Sequence, residues 1–341
     1  MNKKNKPTTD PTHLIQIRDS IYAIDLLITA VGHLDFFNWL SEHPSDLEEI
    51  CSSLGLDPRP VDVMITLFKS YGLIKEEGGK FYNTILANEQ FTNKYQGNLI
   101  PYYSIQTERP IVEKMLKVLK TGQPASWGGK KDEQEWEKAM QKPDFADKFT
   151  AGMNSRGAYL APYLAQNFNF SNYQSFLDIA GGSGIYASAI AHKYPHLKAT
   201  VLERPPVDHI ARQALSKSGF HDKVSVLAGD MFKDEFPKGY DIHFFSHVLH
   251  DWNLDQNRQL VENSYRNLNT GGIIMILDAH LNQEKIGPVP EAEYSVLLMF
   301  ATPGKCYAIS ELEPLLTEIG FKNFQHIPLV ANRSLIIAQK I

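Results

Sequence analysis

The residues best suited to chemistry sit at the ends of short β-rich runs. The first run, Phe176–Ile179, leads into Ala180-Gly181-Gly182-Ser183-Gly184 and then a helical segment. Glycines in such a turn let the backbone approach a ligand at a helix N-terminus. The stretch from Gly182 to Ala187 also matches the G-x-G-x-x-G/A spacing of dinucleotide sites. Glu203 follows Gly184 by 19 residues, where a ribose-binding acid belongs. A nicotinamide-dependent oxidoreductase is therefore one reading. Asp178, beside the loop, opposes it, because a carboxylate there would repel a pyrophosphate. The same carboxylate suits S-adenosylmethionine, whose ammonium and sulfonium groups are both cationic. Glu203 closes the second run and can accept from both ribose hydroxyls. Asp230, in Gly229-Asp230-Met231-Phe232, follows the third run and can take an adenine amino group, with Met231 or Phe232 on the ring face. Three acids at successive strand ends mark the carboxyl edge, where open α/β sheets bind ligands.

The fourth run ends in Ser246-His247-Val248-Leu249-His250-Asp251-Trp252. A histidine on a strand-end loop can act as a general base, because an unperturbed imidazole of pKa about 6.5 accepts a proton at neutral pH. Spacing alone leaves His247 and His250 as alternatives. His192, His196, His209 and His221 fall on helices or turns that read as solvated. No clustered Asp/Asn set offers a magnesium site, so no metal is expected.

These loops need a sheet to hold them. β-rich runs at 176–179, 199–202, 224–227, 242–245 and 273–277 alternate with helical patterns at 185–194, 207–218 and 255–268, which predicts a doubly wound parallel sheet. Two further runs, 324–329 and 334–338, are joined by a link too short for a helical crossover. They should pair antiparallel. The first half reads as helical. Leu14, Ile17, Ile21, Ile24, Leu27 and Ile28 recur at helical spacing and predict one buried stripe. Asp57-Pro58 opens a helix that runs through Val61, Met64, Ile65, Leu67 and Phe68. With the preceding helix (45–54) and a strand–turn–strand over 73–82, it resembles a winged helix. Its cations, Arg59 and Lys69, are balanced by Asp57 and Asp62, which argues against DNA recognition.

At 341 residues the chain divides into two domains: a helical dimerisation and substrate-covering domain, 1–164, and a cofactor-binding catalytic domain, 165–341. The net charge of −5 disfavours a basic nucleic-acid binder. Two cysteines, Cys51 and Cys306, supply no disulfide framework. The polar start lacks the apolar segment of a signal peptide, and the apolar stretch 21–31 is too short to span a bilayer. A cytosolic protein with no membrane partner is expected.

In order and spacing, the motifs resemble those of the S-adenosylmethionine-dependent small-molecule O-methyltransferases. That family includes the plant caffeate and flavonoid enzymes, the hydroxyindole enzymes and bacterial antibiotic-tailoring members. Asp178–Gly184 matches its glycine motif, Gly229–Met231 its Gly-Asp-Met, His250–Trp252 its His-Asp-Trp and Phe149–Met153 its acceptor-pocket segment. The resemblance covers nearly the whole chain. It implies a class I seven-stranded Rossmann-like sheet with a terminal antiparallel hairpin, a homodimer formed through the first half, and His250 as the base. Asp278 matches one of the two acids that flank the base, and Cys306 stands in place of the other. Ala180 replaces the first motif glycine, and Ser246 replaces an adenine-side lysine. The expected cofactor contacts are Asp178, Ala180, Gly181, Gly182, Gly184, Glu203, Gly229, Asp230, Met231, Phe232 and Ser246. An apolar pocket for a small-molecule acceptor is expected from Phe149, Met153, Trp252, Leu298, Met299 and Thr302. Relatives that turn this fold to decarboxylation, hydroxylation or pericyclic chemistry remain an alternative, as does a ligand-sensing DNA binder.

Overall fold

The computed structural model describes residues 7–127, 130 and 133–341. Helices Thr12–Asp19, Ala23–Gly32, Phe36–Glu42, Leu47–Leu54 and Pro58–Ser70 lead to a hairpin of β1 (Ile74–Glu77) and β2 (Lys80–Asn83). Asp46 caps the fourth helix in a reciprocal box with Glu49, and Asp57 caps the fifth, with Pro58 at its first position. The helix Pro58–Ser70 buries Val61, Met64, Ile65, Leu67 and Phe68 and packs on helix Val289–Ala301. Both of its expected cations are engaged inside the molecule. Arg59 donates to the carbonyls of Gly122, Met299, Thr302 and Gly304, and Lys69 pairs with Glu76.

The expected buried stripe is corrected. Leu14, Ile17, Ile21 and Ile24 are 70, 54, 49 and 46% exposed, whereas Leu27 and Ile28 are buried. The helix breaks over residues 20–22, and the new helix turns Leu26, Leu27, Ala30 and Val31 inward instead. The run before the break faces outward.

The main sheet contains β3 (Ser175–Ile179), β4 (Lys198–Glu203), β5 (Val224–Ala228), β6 (Tyr240–Ser246), β7 (Leu268–Asp278), β8 (Lys322–Pro328) and β9 (Ser334–Gln339). Its order is β5-β4-β3-β6-β7-β9-β8. Every pairing from β5 to β7 is parallel, and β9 runs antiparallel to both β7 and β8. The terminal hairpin folds so that β9 slots between β7 and β8. Neighbouring residues split between the two faces, as the twofold strand period requires. Phe176, Phe244, Met275 and Ile337 pack on one side, and Leu177, Phe245, Ile276 and Ile336 on the other. The order reverses between β3 and β6, and this opens a crevice at the carboxyl ends of the strands.

Residue 164 lies inside helix Pro143–Asn167. Several residues between Ala279 and Ala308 pack with the N-terminal helices in a separate core, so the chain crosses between cores more than once.

Candidate active site

The glycine loop leaves β3 in a left-handed conformation. Ala180 has φ 53°, Gly182 57° and Gly184 75°. Ala180 therefore occupies backbone space that favours glycine, which explains its match to a glycine in the motif. At Gly181 a Cβ would come 2.5 Å from the Asp178 carboxyl carbon. Gly184 does not line the cavity. It caps helix Ile185–Lys193 and packs on Val201, so its part is to start the helix.

Asp178 is also corrected. It lies on the sheet face covered by that helix, beneath Gly181, and does not reach the cavity wall. The side chain is completely buried, and neither carboxylate oxygen has a hydrogen-bond partner. Burial pushes its pKa up to about 8, opposed by the Ala187 amide, which does not reach hydrogen-bonding geometry, and reinforced by the Glu203 carboxylate.

Glu203 ends β4 at the cavity. It accepts from the Gly182 and Arg204 backbone amides at 2.9 Å each. Burial pushes it up to about 7 despite those bonds. Asp230 accepts from the Phe232 amide at 3.0 Å and pairs with Lys233 at 3.2 Å. Its carboxyl, though partly desolvated, stays below the ordinary value because of those contacts. Gly229, Met231, Phe232 and Ser246 line the same end. Arg204 lies over the Trp136 ring at 5.0 Å and pairs with Glu137. No sequence motif pointed to that contact.

The geometry separates the two histidines. His247, at φ 57°, is held on both ring nitrogens. Arg333 Nε donates to its Nε2 at 3.1 Å, so Nδ1 carries the proton and donates to Ser246 Oγ at 3.0 Å. Burial and the nearby Arg156 and Arg333 push its pKa well below the usual imidazole range. His250 sits in the one-turn helix Leu249–Asp251 after β6. Its Nδ1 is 2.5 Å from Asp278 Oδ1, while Nε2 is 3.6 Å from Asp251, too far for a hydrogen bond. The ring thus presents an uncommitted Nε2 edge in a residue that lines the cavity. Burial alone would raise Asp278. The His250 ring outweighs it and holds the carboxyl below its ordinary value. Cys306 is fully buried away from the wall, and burial pushes its thiol well up.

The sequence matches the O-methyltransferase domain family over residues 117–322. The chain belongs to this S-adenosylmethionine-dependent family. It is 25% identical to the 3-hydroxy-5-methyl-1-naphthoate 3-O-methyltransferase of Streptomyces sahachiroi, over 91% of this chain and 89% of that protein. It is 28% identical to the L-tyrosine C(3)-methyltransferase of Streptomyces lavendulae, over 92% and 88%. A crystal structure of an O-methyltransferase family 2 protein from Planctomyces limnophilus, complexed with apigenin, superposes with a TM-score of 0.88. It is 28% identical and covers 99% of this chain and 98% of that one.

In this methyltransferase the cavity measures about 700 Å³. Its cofactor end fits the donor. The Gly181–Gly182 backbone is free of side chains, Glu203 waits with a raised pKa, and the unpartnered Asp178 carboxyl lies beneath the loop. A cationic ligand would favour the ionised form of both acids. The other end is built by Phe149 and Met153 from helix Pro143–Asn167, by Leu298 and Thr302 near the end of helix Val289–Ala301, and by Trp252. Met299 is corrected. It is fully buried among the N-terminal helices, because the helix turns Tyr294, Leu297, Leu298 and Ala301 to the cavity and Met299 away. Sequence reasoning missed Arg18, Tyr22, Trp127, Arg156 and Tyr294 on this wall. The helix break at 20–22 turns Tyr22 inward, and no motif marks a break of that kind.

Proposed function

We propose that the chain methylates a hydroxyl of a small aromatic or polyketide-like acceptor, with His250 as the general base. One observation carries this reading. Asp278 fixes Nδ1 of a buried imidazole that lines the cavity, while its Nε2 lies beyond hydrogen-bonding distance of Asp251 at 3.6 Å. When bound, S-adenosylmethionine would supply an electrophilic methyl group, whose S–CH3 bond breaks as the O–CH3 bond forms and S-adenosylhomocysteine leaves. Gly181 and Gly182 would cradle its amino-acid end, Glu203 its ribose, and Asp230, Met231 and Phe232 its adenine. A neutral phenol of pKa about 10 is a poor nucleophile near pH 7, so removal of its proton matters. His250 Nε2 takes that proton, and Asp278 stabilises the imidazolium that results. Asp278 also accepts from its neighbour's amide at 2.8 Å, which fixes the carboxylate and hence the ring. The aromatic wall favours a flat acceptor. Trp252 meets Trp127 at 5.3 Å between ring centres. Two relatives support an aromatic acceptor by their names, a 3-hydroxy-5-methyl-1-naphthoate 3-O-methyltransferase and an L-tyrosine C(3)-methyltransferase, and only the first supports oxygen as the methylated atom. The test is a product-mass screen of phenolic acceptors with S-adenosylmethionine, followed by His250→Ala. An ether product lost with the histidine is expected; an undiminished rate in the variant removes the base assignment.

We further propose a homodimer through the first half. Leu14 and Ile17 before the helix break and Ile24 after it leave exposed apolar surface, with Ile21 lining the cavity beside them.

A further inference from the structure

Asp278 holds one atom of the His250 ring, Nδ1. A single hydrogen bond leaves a ring free to tilt about it, yet a general base must bring its other nitrogen within about 2.6–3.2 Å of the proton's heavy atom. The tilt is set by what packs around the imidazole. His247 and Tyr294 do so, each meeting it edge-to-face with 5.7 Å between ring centres. One residue, Arg333, holds both of these rings. Its Nε donates to His247 Nε2 at 3.1 Å, and its guanidinium lies over the Tyr294 ring, 4.5 Å from the centre. Arg333 itself is buried behind the cavity wall. The rest of its fork is engaged by the protein. Nη1 donates to the carbonyls of Ala331 and Asn332 at 3.1 and 3.2 Å, and Nη2 donates to Asp19 at 2.9 Å. A fork spent in this way is a strut rather than a ligand site.

The backbone around Arg333 is shaped to aim it. Ala331 and Asn332 make the turn between β8 and β9 with φ 56° and 54°, and His247 has φ 57°. Left-handed backbone is unfavourable for most residues with a side chain, and three such residues converge on this one guanidinium. Conformations of that kind persist where the surroundings hold them, and they concentrate at functional sites. Asp19 ends the first helix, Thr12–Asp19, whose Gln16 also donates to Asn332 at 2.7 Å. Directly after it, Ile21 and Tyr22 reach the cavity wall. We infer that Arg333 is a positioning residue for methyl transfer: it sets the tilt of the His250 ring through His247 and Tyr294, and its pairing with Asp19 makes that setting depend on docking of the first helix. The inference rests on the methyl-transfer reading for what the base does, but not for how the base is held. A lysine could pair with Asp19, but as a single point charge it could not also reach His247 and the two turn carbonyls. Arg333→Lys therefore separates the ion pair from the fork.

The test reads the proton on His250 Nδ1 by nuclear magnetic resonance of the free protein. A proton between an imidazole and a buried carboxylate resonates well to low field of the amides, and its loss in His250→Gln assigns it. The native protein should show it as a sharp line. The line should broaden beyond detection in Arg333→Lys and in the double variant Asp19→Asn/Arg333→Gln, which leaves neither buried charge without its partner. Circular dichroism and cooperative unfolding check that both variants are folded. Leu40→Ala, a core truncation in helix Phe36–Glu42, lowers stability without touching Arg333 and should leave the line unchanged. A sharp line in the folded Arg333 variants overturns the inference. So does its absence from the native protein, or its loss in Leu40→Ala, which would make it a reporter of stability alone. In Asp19→Asn, amide exchange should quicken together over residues 12–19 and 247–252; quickening confined to the first helix overturns the coupling. With S-adenosylmethionine and 2-naphthol, Arg333→Lys should lower kcat roughly ten- to a hundredfold and leave KM within about threefold. An unchanged kcat in a variant that has lost the line overturns the positioning role. If the line responds as stated but the native protein methylates neither 2-naphthol nor any other phenol, Arg333 sets the ring as inferred and the methyl-transfer reading falls.

Discussion

Replacing Asp178 with asparagine isolates the most unusual group in the molecule. The native carboxyl is fully buried without a hydrogen-bond partner, and its pKa is pushed up to about 8 from an ordinary value near 3.8. The folded chain thus holds this proton to higher pH than the unfolded chain does. Stability from this group is complete below about pH 4 and is lost as pH rises toward 8. The slope of that loss is about 1.4 kcal/mol per pH unit while only the unfolded form is ionised. Between pH 5 and pH 7 this amounts to roughly 3 kcal/mol. Other carboxyls act in the opposite direction. Asp62 and Asp278 are held below their ordinary values by lysine and histidine partners, so they lose stability as pH falls. The measurement must therefore be a difference. Urea unfolding of the native chain and of Asp178→Asn, at one protein concentration and at each of five pH values from 5 to 9, cancels those contributions and any dimer term. The variant should gain on the native protein by about 1 kcal/mol or more per unit up to pH 7 and level off above pH 8. A difference that stays flat from pH 5 to 8 would refute the reasoning, because it would mean that water or a partner satisfies the carboxylate.

Other outcomes follow from the same geometry. S-adenosylhomocysteine affinity should rise up to about tenfold from pH 6 to pH 8 as Glu203, near pKa 7, becomes a full acceptor. By calorimetry, Glu203→Ala should weaken binding by about 1–3 kcal/mol and Glu203→Gln should flatten the pH dependence. His250→Ala should lower turnover by roughly 10²–10⁴-fold with cofactor binding nearly unchanged; full activity in the variant would leave positioning as the whole catalyst. Light scattering should give about twice the 38.6 kDa chain mass, and Ile17→Glu with Ile24→Glu should reduce it to that of one chain. Cys51 and Cys306 are both buried with raised thiol pKa values, so neither should react with a thiol reagent until the protein is unfolded.

What the sequence could reveal depended on how locally each feature is determined. The strands were legible because a parallel strand buried on both faces is a short continuous apolar run. Helix 207–218 was read to its ends because Gly219, at φ 76°, closes it. Glu203, Asp230 and the segment from Ser246 to Trp252 were legible for a topological reason: the carboxyl edge of a doubly wound sheet places strand-end loops together whatever lies between them. Asp178 shows the limit of that reasoning. A strand-end position fixes the edge, but the twofold period of the strand decides the face. Two residues after Phe176, the acid follows Phe176 under the helix. Met299 failed in the same way by one helical step. His250 could not be chosen over His247 from spacing, because the choice is made by Arg333 and Asp278, which lie 86 and 28 residues from the histidines they hold. Arg156 had no motif at all. Its place on the cavity wall is a property of the folded surroundings rather than of the residue. The residues most exposed to such errors are those without a motif, since the cavity wall draws Arg18, Tyr22, Arg156 and Tyr294 from across most of the chain. Motifs therefore identify the donor side of this reaction and part of the acceptor wall, whose other residues, such as Tyr22 and Tyr294, are brought to the cavity only by the fold.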